Sequence, residues 1–109
     1  MRRARYLVVL PLAGALAFPP SVGAARTATV VLEDVEFKPA TTRIKRGDSV
    51  RWVWRDGSTP HNVRSRGSRR FKGSGTRTEG RHTVRFTRSG TYRYVCTVHI
   101  GMDGRVVVR

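Results

Sequence analysis

With 109 residues the chain has room for one small domain, not two. Its 22 Lys and Arg stand against 7 Asp and Glu, a formal charge of +15 that calls for an anionic partner or surface and does not reveal the fold. The single cysteine, Cys96, excludes an internal disulfide; that thiol is a buried bystander, an intermolecular link, or a reactive or metal-binding group.

Residues 1–25 have the three-part pattern of a secretory signal peptide. Arg2, Arg3 and Arg5 form a basic start, Tyr6 to Phe18 is apolar apart from Pro11 and Gly14, and Ser21 to Ala25 supplies small residues for cleavage. The apolar run is too short to span a bilayer. Export to the periplasm or the extracellular cell envelope follows, with cleavage after Ala24 or Ala25. The domain is then 26–109, where 19 basic residues face 7 acidic ones and the net charge is +12.

Along that domain the signals are short strands punctuated by turns, with no heptads, repeats or long helical period. Ala28 to Glu33 is rich in β-branched residues, and Thr41 to Lys45 is a second extended run before the Gly47-Asp48 turn. Val50, Trp52 and Trp54 alternate with Arg51, Val53 and Arg55, as a strand with one buried face does. The stretch from Arg64 to Gly80, rich in Gly, Ser and Arg, reads as a long mobile loop around Phe71. Val84 and Phe86 mark another half-buried strand; Tyr92, Tyr94 and Cys96 share a face of the next; Val106 and Val108 are in phase in the last. Such a series without crossover helices indicates an all-β chain folded as an antiparallel Greek-key β-sandwich.

Chemistry concentrates near the C-terminus, in Cys96-Thr97-Val98-His99-Ile100-Gly101-Met102. Thiolate, imidazole and thioether lie close together just after a strand, and a second imidazole, His61, stands in Pro60-His61-Asn62. Two imidazoles, a thiolate and a weak axial thioether are the donor set of a type 1 copper site. Zinc is the chemical rival, but its sites rarely recruit Met. Alone, Cys96 would pass for a core cysteine and His61 for a turn histidine; the set is what speaks for a metal. His82 matches no motif and reads as a surface or rim histidine.

The ordered pieces Val35-Glu36-Phe37-Lys38-Pro39, Gly47-Asp48-Ser49-Val50 with Trp52, Pro60-His61-Asn62-Val63, Gly90-Thr91-Tyr92-Arg93-Tyr94 and the Cys96 loop resemble the cupredoxins, in particular the amicyanin and plastocyanin group. The resemblance covers essentially the whole domain. It implies one copper held by His61, Cys96, His99 and Met102, with Asn62 clamping the His61 segment to the Cys96 strand near Thr97. It implies a single-electron carrier rather than an enzyme, shuttling between redox partner proteins and docking through an apolar patch at Ile100. The spacing from Cys96 through His99 to Met102 is the short, amicyanin-type loop, although Val98 stands where many relatives have Pro. The charge is also more positive than is usual in the family. It points to a partner with an acidic docking face and to Arg69 and Arg70 as rim charges that set the encounter rate. Peripheral contact with an anionic membrane or envelope is the other use of that charge. No nucleic-acid motif accompanies the basic loop 64–81, and the expected state is a monomer.

Overall fold

The computed structural model describes residues 23–109. Apart from residues 23–25, the expected signal peptide lies outside them. The described residues form eight strands and no helix: β1 (Thr27–Glu33), β2 (Glu36–Lys38), β3 (Thr41–Ile44), β4 (Ser49–Trp54), β5 (Arg64–Arg66), β6 (Arg81–Arg85), β7 (Gly90–Val95) and β8 (Asp103–Val108). They build two four-stranded sheets, ordered β2-β1-β4-β6 and β3-β8-β7-β5.

Period-two alternation decides what each strand buries. In β4, Val50, Trp52 and Trp54 point inward; in β7 Tyr92 and Tyr94 do, and in β8 Val106 and Val108. Burying a large apolar side chain contributes about 1.5–3 kcal/mol, so this inner layer carries most of the stability. The two sheets meet at Trp52, whose ring lies edge-on to Tyr94 with centroids 5.3 Å apart, and Tyr94 in turn meets Phe37 at 4.7 Å. Gly104, opposite Tyr94 in the register, leaves room for that ring: a Cβ there would lie 2.6 Å from the tyrosine Oη.

The sandwich is as expected, but its strand directions are mixed. β1 runs parallel to β4 and β3 parallel to β8, whereas the other four pairings are antiparallel. Nor is 64–80 a free loop. Its start is β5, paired with β7, and Phe71 returns to stack on Trp52 at 5.5 Å and touch Phe86. Ser74 then bonds Val63 twice: its amide donates to the Val63 carbonyl at 2.9 Å, and its hydroxyl oxygen accepts the Val63 amide at 2.9 Å. One aromatic side chain and one serine thus tie a polar, glycine-rich segment across the sandwich edge.

Candidate metal centre

The site sits at one end of the sandwich, where β7 runs out into Cys96 and β8 begins after Met102. His61, Cys96 and His99 each offer a donor atom there, and all of these atoms lie within 4.8 Å of one another. His61 Nδ1 is 3.8 Å from Cys96 Sγ. His61, Cys96 and Met102 are buried and His99 is half-buried.

Local bonding positions each group. The His61 backbone exchanges two hydrogen bonds with Arg77, both 3.0 Å, and its carbonyl accepts the Trp54 indole N–H at 2.9 Å. The Cys96 amide donates to the Met102 carbonyl at 2.9 Å, and the Met102 amide to the His99 carbonyl at 3.3 Å, which closes the ligand loop on itself. Asn62, buried, joins the two halves. Its Oδ1 accepts the Thr97 amide at 2.9 Å, and its Nδ2 donates to the hydroxyls of Thr97 and Thr76, both at 2.8 Å. The structure thus brings Asn62 and Thr97 together, with Thr76, from the basic segment, as an additional partner.

The outer nitrogens fix both imidazole tautomers. His61 Nε2 lies 2.7 Å from Asp56 Oδ2, and His99 Nε2 lies 3.0 Å from the Pro60 carbonyl. A carbonyl and an ionised carboxylate can only accept, so each Nε2 carries a proton, and in the neutral ring Nδ1 then keeps its lone pair. Asp56 is ionised at neutral pH. The His61 ring N–H, and after it the Val35 amide, hold its carboxyl below the usual carboxylate range. That carboxylate also accepts the amides of Asp34 at 3.2 Å and Val35 at 3.0 Å. These two residues form the β1–β2 turn with φ of 55° and 56°, a conformation costly for β-branched Val35. One carboxylate thus steadies a strained hairpin tip and orients a ligand.

Asp56 was not among the residues singled out from the sequence. Its only signal there is Asp56-Gly57, an ordinary turn pair shortly before His61. Near His99 in the chain, Ile100 is fully exposed and Val98 is 43% exposed. Arg69 and Arg70 are not at that rim. β5 runs antiparallel to β7, so the chain after it travels away from Cys96, and Arg69 comes to rest against Gly90 at the far end of β7. His82 is outside the cluster; its Nε2 meets the Lys72 carbonyl at 2.8 Å.

Two imidazole nitrogens and a thiol, converging beside a buried thioether at the end of a β-sandwich, define a type 1 copper protein. Comparison with known proteins leads to the same class. Residues 24–109 match the family described as copper binding proteins, plastocyanin/azurin family. Amicyanin of Paracoccus denitrificans is 35% identical over 83 residues, which is 72% of this chain and 63% of its own length. Amicyanin-alpha of Methylorubrum extorquens is 34% identical over 83 residues, 72% of this chain and 69% of its own. Among solved structures, a reduced amicyanin variant superposes with a TM-score of 0.66 at 33% identity, covering 76% of this chain and 82% of that one. A purple cupredoxin from Nitrosopumilus maritimus, 24% identical with a TM-score of 0.68 over 75% of this chain and 99% of its own, shares the fold. The chain belongs to the plastocyanin/azurin family of copper-binding proteins, and its cofactor is copper.

Proposed function

We propose that this protein is an exported one-electron carrier, not an enzyme, which holds one type 1 copper through His61, Cys96, His99 and Met102 and passes electrons between redox partner proteins. Copper bound there supplies the one-electron chemistry, cycling between Cu(I) and Cu(II). The observation that carries the reading is the pair of capped imidazoles. Asp56 and the Pro60 carbonyl hold the two Nε2 protons, which leaves Nδ1 of each neutral ring as the nitrogen able to bind a metal, and His61 Nδ1 lies beside the Cys96 thiol. Asn62 holds Thr97, and through it Cys96, against the His61 segment. Outer partners of this kind orient the ligands, and a cage bonded on every side has little to rearrange when its charge changes.

Transfer would pass at the His99 edge, where exposed Ile100 and Val98 offer a small apolar contact. A charge of +12 on residues 26–109 suits a partner with an acidic docking face. Steering by such charge raises encounter rates roughly 10- to 1,000-fold and fades with salt. Arg64, directly opposite Val95, is the basic residue of that sheet's register nearest the site, and Asp103 stands opposite Val95 on its other side. The same reading has residues 1–25 removed on export and the domain working as a periplasmic or envelope monomer, with no nucleic-acid partner.

Cyclic voltammetry of the copper-loaded protein with a Cu(I) chelator present tests this. The expected result is a reversible one-electron wave with copper retained over many cycles. Loss of copper on reduction would contradict it and indicate metal delivery instead. Ile100→Ser should slow exchange with the partner and leave the potential unchanged.

A further inference from the structure

The metal centre uses one end of the sandwich and leaves the outer face of the β3-β8-β7-β5 sheet unexplained. On β7 and β8 the inward residues are Tyr92, Tyr94, Val106 and Val108, so Arg93 and Arg105 point outward. The register sets Arg93 directly opposite both Arg105 and Arg66, and Thr41 continues the line on β3. Three exposed arginines therefore stand side by side on three adjacent strands, with backbones roughly 5 Å apart. Arg105 Nε donates to Thr41 Oγ1 at 3.1 Å, and among the described residues none of the three arginines forms an ion pair. A groove of about 340 Å³ follows the row, lined by Thr41, Arg66, Arg93 and Arg105 with Asp103 at its rim. Arg43 adds a further positive charge one row to one side, and on the other side Arg64 shares its row with Asp103. The other sheet has no such row: on its outer face Arg51 stands opposite Thr83 and Arg85 opposite Ser49.

Like charges directly opposite one another destabilise a sheet. Asp103 lines the same groove but forms no ion pair with the row, which leaves the three arginines open to an anion from outside. Guanidinium groups match phosphate oxygens in paired hydrogen bonds, which makes arginine the side chain suited to a phosphate array. The face is a plain sheet surface whose outward apolar residues, Val95 and Val107, are half-buried. It lacks the exposed aromatic or aliphatic anchor that protein interfaces place at their centre.

We propose that this face docks the protein on anionic phospholipid headgroups, with phosphates seated along the line from Thr41 through Arg105 and Arg93 to Arg66. Cys96, His99 and Met102 lie beyond the ends of β7 and β8, so this attachment lays the strands along the membrane and leaves the His99 edge open at the side. Docking on lipid does not rest on the role of the copper; it would hold if the electron-transfer reading failed.

The test is co-sedimentation of the copper-loaded protein, as recovered from the expressing cells, with phosphatidylglycerol–phosphatidylcholine vesicles at low salt. Pure phosphatidylcholine vesicles are the comparison. Each basic residue near an anionic bilayer strengthens attachment about fivefold, so Arg66→Ser, Arg93→Ser and Arg105→Ser together should weaken binding on the order of 100-fold. Arg46→Ser, Arg55→Ser and Arg81→Ser, an equal charge loss away from the row, should weaken it by less than about fivefold. Replacing the three row arginines by lysine keeps the charge but loses the paired hydrogen bonds, so its binding should fall between that of the unaltered protein and that of the serine triple. The row triple should also unfold at the same or a higher temperature, because repulsion has been removed. If it does not fold, Arg93→Ser alone should still show the fivefold loss. Equal losses in both triples would mean diffuse net charge and overturn the proposal. Equal affinity for pure phosphatidylcholine would do the same, as would failure to bind vesicles by a protein that binds an acidic partner.

Discussion

Replacing Asn62 by Ala should loosen the domain by about 2–3 kcal/mol, because three hydrogen bonds converge on one buried side chain. Each neutral bond contributes about 1 kcal/mol net, which sets about 3 kcal/mol as the full loss. Thr76 and Thr97 are exposed, so water can re-satisfy part of what they lose, and the cost falls toward the lower figure. In a domain of this size 1 kcal/mol moves the midpoint by about 4–8 °C, so a fall of about 10 °C or more is expected. Thermal and urea unfolding of the copper-free protein isolates this from metal binding. Thr76→Val, which removes one of the three bonds, should cost about 1 kcal/mol and calibrates the series. A loss below about 0.5 kcal/mol for Asn62→Ala would refute the clamp, since the bonds would then be worth no more to the fold than water contacts.

Other outcomes follow from the same geometry. Asp56→Ala should weaken copper binding about 10- to 100-fold, by equilibrium titration, because His61 loses the partner that fixes its tautomer. It should also raise the potential; if Cu(II) loses tenfold more affinity than Cu(I), the shift is about 59 mV, and a lowered potential would contradict the tautomer argument. Met102→Leu should keep copper and colour and raise the potential, because an electron-rich axial donor that favours Cu(II) is gone; loss of copper would count against an axial role. Acid should unfold the domain through Asp48 and Asp56, whose pKa values are lowered from 3.8: Asp48 first by the Arg26 amide and then by the Lys45 amide, Asp56 first by the His61 ring. Depressed carboxylates contribute stability that is complete above 3.8 and is lost as pH falls through their folded values. Asp48→Asn should therefore flatten the acid limb of a stability–pH profile.

The strands were legible because alternation reports which face is wet, and Trp52, Tyr94 and Val106 are buried where it puts them. Alternation says nothing about a neighbour's direction, so the parallel β1–β4 and β3–β8 pairs were not readable. The donor set was legible as an ordered group of residue types. Asp56 was not, because its contact with His61 depends on how the turn between them bends the chain back. Composition misled at 64–80: Gly, Ser and Arg suggest a free loop, while the ordering comes from Phe71 and Ser74. The displacement of Arg69 and Arg70 from the metal end has the same origin, since β5–β7 pairing sets their direction of travel. The arginine row likewise exists only in the register, because Arg66, Arg93 and Arg105 are unremarkable when read one strand at a time.

The most direct measurement is the absorption spectrum of the copper-loaded protein, taken oxidised and then reduced, beside that of Cys96→Ser. Copper bound by the only thiol, two imidazoles and a thioether gives one metal per chain and an intense blue or green thiolate-to-copper band that bleaches on reduction. In Cys96→Ser that band should be absent while the sandwich still folds. A colourless loaded protein, or a serine variant that keeps the colour, would contradict the assignment of this site to type 1 copper.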